Sequence, residues 1–260
     1  MAVADPMVVV DDLHIVYRVY GAGGSKGTAA TAMMRLLRRQ NRPGMREVHA
    51  IRGISVVANR GDAVGIIGRN GSGKSTLLRA IAGLLPPEQG AVYTTGEASL
   101  LGVNAALLDD LTGERNVVLG CLAMGMSPAE VKSRFNDIVE FSGVGDFIDL
   151  PMRTYSSGMG SRLRFAIASA KSHDVLLIDE ALATGDAPFR AKSHKRIEEL
   201  RQESGAVFLV AHNLSEVEET CNRVIWLERG EIIMDGDDVP GIIDAYLEAS
   251  GGDRRTRQPV

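Results

Sequence analysis

The stretch that most constrains the fold is Gly68 to Thr76, GRNGSGKST, with the spacing G-x-x-x-x-G-K-[ST] of a phosphate-binding loop. Gly68, Gly71 and Gly73 let the main chain wrap closely enough to aim N–H groups at phosphate oxygens. Lys74 supplies positive charge for the β and γ phosphates, and the Ser75 hydroxyl is placed to ligate Mg²⁺. A helix from Thr76 to Leu84 would add the favourable field of its amino terminus. The short apolar run Ala63 to Ile67 is expected as a buried strand. Strand, loop and helix in that order disfavour the competing reading, a glycine-rich turn capping an ordinary helix. They imply a nucleoside triphosphate site without identifying the machine it drives.

Composition narrows the setting. The chain has 260 residues, 45% of them hydrophobic, enough for one large domain or two modest ones. A net charge of −4 gives no general pull toward nucleic acid. The opening MAVADPMVVVDD carries acids where a secretory signal needs bases, and no later run has the roughly 18 apolar residues of a spanning helix. The expectation is a cytosolic chain that reaches a membrane only through a partner. Cys121 and Cys221 fit no metal-ligand spacing and are expected as buried free thiols.

Met7 to Tyr20 is rich in β-branched and aromatic residues and reads as one or two strands. Tyr17 has two readings: an aromatic face stacked on adenine, or a half-buried strand tyrosine. Residues 21 to 46 open with glycines and continue into a short basic helix. That helix fits contact with anionic lipid or a membrane partner, and equally a solvated insertion. Val48 to Val57 resumes strand, and Asn59 to Asp62 turns the chain into the loop strand. Gly83 to Gly90, with two prolines, breaks structure, and Ala91 to Val103 mixes strand and turn residues. Thr112 opens a helix over about Glu114 to Met124. Ser127-Pro128-Ala129-Glu130 is a capping box with proline at the first helical position, starting a helix that stops at Gly143. The span 104 to 153 thus reads as a helical insertion in an α/β core.

Tyr155-Ser156-Ser157-Gly158-Met159 opens a further helix, continued through GSRLRFAIASAKS, with Leu163, Ala166, Ile167 and Ala170 on one face. Its start suits an anion and suits an ordinary cap. VLLIDE, residues 175 to 180, is an apolar strand ending in two acids. Asp179 could hold Mg²⁺ through water, and Glu180 could orient and deprotonate an attacking water. Asp186 follows, then a helix from Pro188 to Glu203. Strand Ala206 to Ala211 delivers His212 to its carboxyl end, where ligands of parallel sheets gather. A short helix after Asn213, a hairpin around Arg229-Gly230 and a helix from Val239 to Leu247 complete the chain.

Taken in order, the loop, YSSGM, VLLIDE, Asp186 and His212 resemble the ATP-binding cassette (ABC) subunits of transporters over essentially the whole chain. The resemblance implies an α/β fold: a P-loop NTPase (RecA-like) core, an antiparallel β subdomain and a helical signature subdomain, in one domain over 1 to 248 with a disordered tail at 249 to 260. It implies ATP and Mg²⁺, and two copies closing head to tail on two ATP molecules. Gly68, Asn70, Gly71, Ser72, Gly73, Lys74, Ser75 and Thr76, with Tyr17, would bind ATP. Ser156, Ser157, Gly158 and Met159 of the other copy would complete the γ-phosphate site. Ser75 and Asp179 would serve the metal, Glu180 the attacking water, His212 the γ-phosphate and Asp186 the subunit contact.

The wording of YSSGMGSRLRFAIA, LTGERN and DEALATGDAPFRAK, with the insertion at 21 to 46, is similar to the branch that exports lipid-linked polysaccharides such as O-antigen, teichoic acid and cell-wall galactan. That branch implies a separate transmembrane permease, a peripheral place on the cytoplasmic membrane face, a glycan reached through the permease, and no nucleic acid. Exporters of drugs, peptides or simple lipids, and soluble cassettes acting on nucleic acid or ribosomes, are the alternatives. The family's usual glutamine between core and helical insertion has no counterpart, since no Gln lies between Gln89 and Gln202; Asn104 stands near that position. Too few residues follow Leu247 for the carbohydrate-binding domain of some members, which moves glycan selection to the partner.

Overall fold

The structure, a computed structural model, describes residues 5–20, 45–101, 107–179, 187–210 and 213–251. Asn104, Glu180, Asp186, His212, residues 21–44 of the basic insertion and the tail after 251 lie outside them. The described strands are β1 (Pro6–Tyr20), β2 (Met45–Asn59), β3 (Ala63–Ile67), β4 (Gln89–Thr94), β5 (Ala98–Leu101), β6 (Val175–Asp179), β7 (Ala206–Val210), β8 (Arg223–Glu228) and β9 (Glu231–Gly236). The helices are α1 (Lys74–Ile81), α2 (Gly113–Ala123), α3 (Pro128–Ser142), α4 (Ser157–Ala168), α5 (Ala187–Glu203), α6 (Leu214–Thr220) and α7 (Val239–Ser250). Among the described residues no helix is long and apolar enough to cross a membrane.

One sheet runs β5-β6-β7-β3-β8-β9, parallel except for the last pair; the other is antiparallel, in the order β2-β1-β4. The inner strands of the large sheet are apolar on both faces, as a sheet covered on both sides requires. Val64, Ile66, Leu177, Phe208 and Leu227 enter the core shared with the small sheet and α1. Their neighbours Ile67, Leu176, Ile178, Leu209 and Trp226 enter a second core with residues of α5 and α7. A third core, including Val117, Cys121, Val131, Ile138, Leu163, Ala166, Ile167 and Ala170, joins α2, α3, α4 and the start of the segment after α4. The apolar face expected for α4 is therefore the face it buries.

Several boundaries depart from expectation for identifiable reasons. β1 is a single strand of 15 residues, its irregularity absorbed at Asp12, where φ is 43°. α1 starts at Lys74 rather than Thr76, because Gly73 at φ 112° enters the helix with no side-chain cap. It ends at Ile81, ahead of Gly83 in the left-handed region at φ 69°. α4 ends at Ala168, short of Ser172, where the next carbonyls turn to guanidinium groups: Arg196 donates to Ser169 and Arg134 to Ala170. α7 continues past Leu247 to Ser250, closed by left-handed Gly251. The capping box forms as expected: the Ser127 amide donates to Glu130 Oε2 at 2.7 Å, and the Glu130 amide donates to Ser127 Oγ at 3.3 Å. Both cysteines are free; Cys121 is buried, which pushes its thiol up to about 11, whereas Cys221 is only half-buried.

Candidate functional site

β3 ends at Ile67 and the loop leaves through Gly68. A Cβ at Gly68 would lie 2.2 Å from the Leu227 carbonyl oxygen, and one at Gly73 2.7 Å from that of Ala50. These glycines are thus demanded by the walls of the loop, which are β8 and β2. Gly71, at φ 82°, faces open space. The turn between β8 and β9 braces the loop from outside: the Gly230 amide donates to the Ser72 carbonyl at 2.8 Å, and the Arg52 amide donates to the Gly230 carbonyl at 2.9 Å. Behind the loop, the Leu77 amide donates to Gly73 at 2.9 Å, so the amides of Lys74, Ser75 and Thr76 occupy the first turn, where a helix supplies them no carbonyl.

Lys74 folds back into this loop. Its Nζ donates to the carbonyls of Gly68 at 2.6 Å and Arg69 at 3.1 Å, and the residue is buried. Burial lowers its pKa below the ordinary lysine value, and the charge of Asp179 acts in the opposite direction. Residues far apart in sequence therefore meet electrostatically at the carboxyl edge of the large sheet. The Ser72 hydroxyl is buried beside them without a hydrogen-bond partner. Both observations fit an anion in the loop: a cation hydrogen-bonded to main-chain carbonyls, and a hydroxyl with no partner among the described residues. Ser75 on the first turn of α1 and Asp179 at the end of β6 are an oxygen pair of the hard type that Mg²⁺ takes.

Tyr17 lies beside the same turn, its hydroxyl 3.4 Å from that of Thr76 and its ring packed on the first core. Asn70 is exposed on the loop. Ser156 caps α4, its Oγ accepting from the Met159 amide at 3.2 Å. A Cβ on Gly158 would meet nothing closer than Ser156 Oγ at 3.9 Å, so packing within the chain does not require glycine there. α4 packs on α2 and α3 rather than α1, which keeps Ser156 to Met159 with the helical layer. Of the residues outside the described ones, Glu180 directly follows Asp179, Asp186 precedes α5, and His212 follows β7, the strand between β3 and β6.

Two supports of the site escaped the sequence. One is the Gly230 brace, whose only local signal is an Arg-Gly turn. The other is Asn116, inside LTGERN and buried. Its Oδ1 accepts from the Leu108 amide at 2.7 Å, and its Nδ2 donates to the carbonyls of Leu108, Leu111 and Thr112 at 3.0 to 3.2 Å. One side chain thereby fixes the segment leading into α2.

Residues 51–183 match the family model described as ABC transporter. The chain belongs to the ABC transporter family. Among similar ABC proteins is the O-antigen export system ATP-binding protein RfbB of Klebsiella pneumoniae, 42% identical over 205 residues, which cover 78% of this chain and 83% of that protein. The teichoic acids export ATP-binding protein TagH of Enterococcus faecalis is 41% identical over 70% of this chain and 41% of its own length. TagH of Shouchella clausii is 39% identical, with 53% of its length covered, so the chain spans about half the length of these TagH relatives. Among solved structures, the ABC cassette MJ0796, a dimer in a post-hydrolysis state bound to ADP and Pi, superposes with a TM-score of 0.66 at 20% identity, covering 89% of this chain and 98% of that one. That likeness establishes the ABC cassette fold expected from the sequence.

Proposed function

We propose that this chain is the ATP-hydrolysing subunit of an ABC exporter of lipid-linked polysaccharide, working as a head-to-tail homodimer under a separate permease on the cytoplasmic face of the membrane. The observation that carries the reading is the 42% identity to an O-antigen export ATP-binding protein over 83% of its length. On this reading residues 1 to 248 form one nucleotide-binding domain with its helical part at about 104 to 153.

Phosphate oxygens replace the carbonyls of Gly68 and Arg69 as partners of Lys74, and the first-turn amides of α1 point at the same charge. Ser75 and Asp179 would hold Mg²⁺, which when bound neutralises charge on the phosphates. Thr76 and Tyr17 lie at the rim, where the tyrosine ring could take an adenine face. Glu180 orients and deprotonates water, His212 contacts the γ-phosphate, and Asn104 stands in for the missing glutamine. Ser157 and Gly158 of the second copy close the site, and the open space at Gly158 supports an approach by another molecule. Asp186 contacts the second copy.

The permease is assigned to the outer face of α2 and α3. There a groove of about 440 Å³ has an apolar floor of Val118, Leu122, Val131 and Phe135 with Glu114 and Lys132 also lining it, and Leu119 is exposed on the same helix as Val118. Such a patch on a chain whose described helices cannot span a membrane supports an apolar partner segment.

The test is a pull-down from native membranes of tagged Glu180→Gln protein with ATP and Mg²⁺, read by mass spectrometry of proteins and lipids. The expected result is a multi-span permease carrying a polyprenyl-linked glycan. A permease without glycan would move the function to another exported substrate, and ribosomes or nucleic-acid proteins would overturn transport.

A further inference from the structure

α5 carries two cations one turn apart, Lys192 and Arg196, on one face. Each is aimed at the carboxyl end of a different helix in the helical layer. Lys192 Nζ donates to the carbonyls of Phe141 at 3.4 Å and Glu140 at 3.5 Å at the end of α3, and sits 4.6 Å from the Phe141 ring centroid. Arg196 forks over the Ser169 carbonyl that ends α4, donating from Nε at 3.1 Å and Nη2 at 3.0 Å. Arg134 of α3 donates to the next carbonyl, Ala170, at 2.5 Å. Helix carboxyl ends are electronegative, so three cations are attracted to two such ends; Arg196 is steadied further by its Nη1, which donates to Glu199 at 3.1 Å on its own helix.

Close packing alone does not fix this junction. A solvent-open cavity of about 200 Å³ lies beside the junction, lined by Arg134, Asp137, Ile138, Phe141, Ser169 and Arg196. Phe141, which lines it, meets Phe165 and Phe189, one ring from each helix, with centroids 5.8 to 5.9 Å apart. The rings give a pivot, and the cavity leaves room to turn about it. A helix of 12 residues spans ~18 Å, so a tilt of ~10° about its carboxyl end moves its amino end by ~3 Å. That displacement is as large as a hydrogen bond is long.

We propose that Lys192 and Arg196 are positioning residues that clasp the carboxyl ends of α3 and α4 and so set the direction in which Ser156 to Met159 point. The consequence for turnover rests on the proposed ATPase function; the clasp itself does not. Because α5 directly follows residues 180–186, the same helix that follows Glu180 and Asp186 in the chain governs the amino end of α4.

Arg196→Met keeps an apolar stem and removes the fork, Arg196→Lys keeps the charge, and Lys192→Met removes the second arm. Spin labels at exposed Thr154 and Arg79, in full-length protein with Cys121 and Cys221 replaced, report the direction of α4 by electron-electron distance. The expected result is a shifted or broadened distance in Arg196→Met and more so in the double variant, with Arg196→Lys close to wild type. ATP affinity should stay within about twofold while kcat falls about tenfold or more, the signature of misplacement rather than lost binding. An unchanged distance with only a lower melting temperature would overturn the clasp, as would kcat and ATP affinity falling in parallel. A wild-type protein that fails to bind ATP would sink the proposed function, and the label distances would still decide the clasp.

Discussion

The amide of Gly230 donates to the carbonyl of Ser72, joining the turn between β8 and β9 to the phosphate-binding loop. Gly230 sits at φ 85°, and a Cβ there would fall 2.6 Å from the Ala50 carbonyl oxygen. Gly230→Ala therefore combines left-handed strain with a backbone clash, and should lower unfolding free energy by about 2 kcal/mol or more. It should also weaken ATP binding by about tenfold, since the loop loses its outer brace. Urea unfolding and nucleotide titration on one preparation measure both; a stable variant with normal affinity would remove the brace from the site.

Two glycines of the loop should separate cleanly. Gly71→Ala meets open space and incurs only the conformational penalty, about 1 to 2 kcal/mol. Gly68→Ala drives a methyl against the Leu227 carbonyl and should cost more than about 3 kcal/mol or prevent folding. Thermal melts of the two unliganded variants decide it, and a reversed order would show that the walls of the loop are elsewhere.

Lys74→Met should abolish tight ATP binding while leaving the unliganded protein within about 1 kcal/mol of wild type, or more stable. The reason is that burial already penalises the ammonium, with the Asp179 charge acting the other way, and its hydrogen-bond partners among the described residues are the carbonyls of Gly68 and Arg69. Calorimetric titration with ATP and a melt without it would check the two halves. Retained affinity would dismiss Lys74 as the phosphate cation.

His173 is buried, and neither ring nitrogen has a hydrogen-bond partner among the described residues. Burial lowers its pKa below the ordinary value; Glu97 and Asp174 act to raise it and Lys171 to lower it. The unfolded chain then binds a proton that the folded chain resists. The contribution is fully present above the unfolded value, about 6.5, and is lost as pH falls from there toward the depressed folded value. Stability should drop by at most about 1.4 kcal/mol per pH unit from this group, and His173→Phe should flatten that part of the profile. Denaturant midpoints at several pH values between neutrality and pH ~5 provide the comparison; equal slopes in both proteins would exclude His173.

The parts of this fold written locally were legible. The Ser127–Glu130 capping box and the short apolar runs of β3, β6 and β7 depend on residues within a few positions of one another, and each formed where expected. The start of α1 was misplaced by two residues because its cap is a left-handed glycine with no side-chain bond to announce it. The end of α4 was overrun because Arg134 and Arg196, remote in sequence, take the carbonyls that would have continued it. Asn116 reads in sequence as one polar residue of a helix start, and only the fold shows that it pairs four main-chain polar groups of the segment 108–112. The brace at Gly230 was invisible for the same reason: its partner is more than a hundred residues away.

The order of strands in the large sheet has a consequence for how the protein is made. β3, which carries the phosphate-binding loop, hydrogen-bonds to β7 on one side and β8 on the other, and both come late in the chain. During synthesis the loop strand emerges early with both edges unpaired, and its helix α1 has only strands of the small sheet to pack on until the rest of the large sheet arrives. Closing these long-range pairs is slow compared with forming the helices between them. A nascent chain thus displays the phosphate-binding sequence for roughly 150 residues of translation before it owns a phosphate-binding site, and ATP can capture the protein only after β8 has left the ribosome.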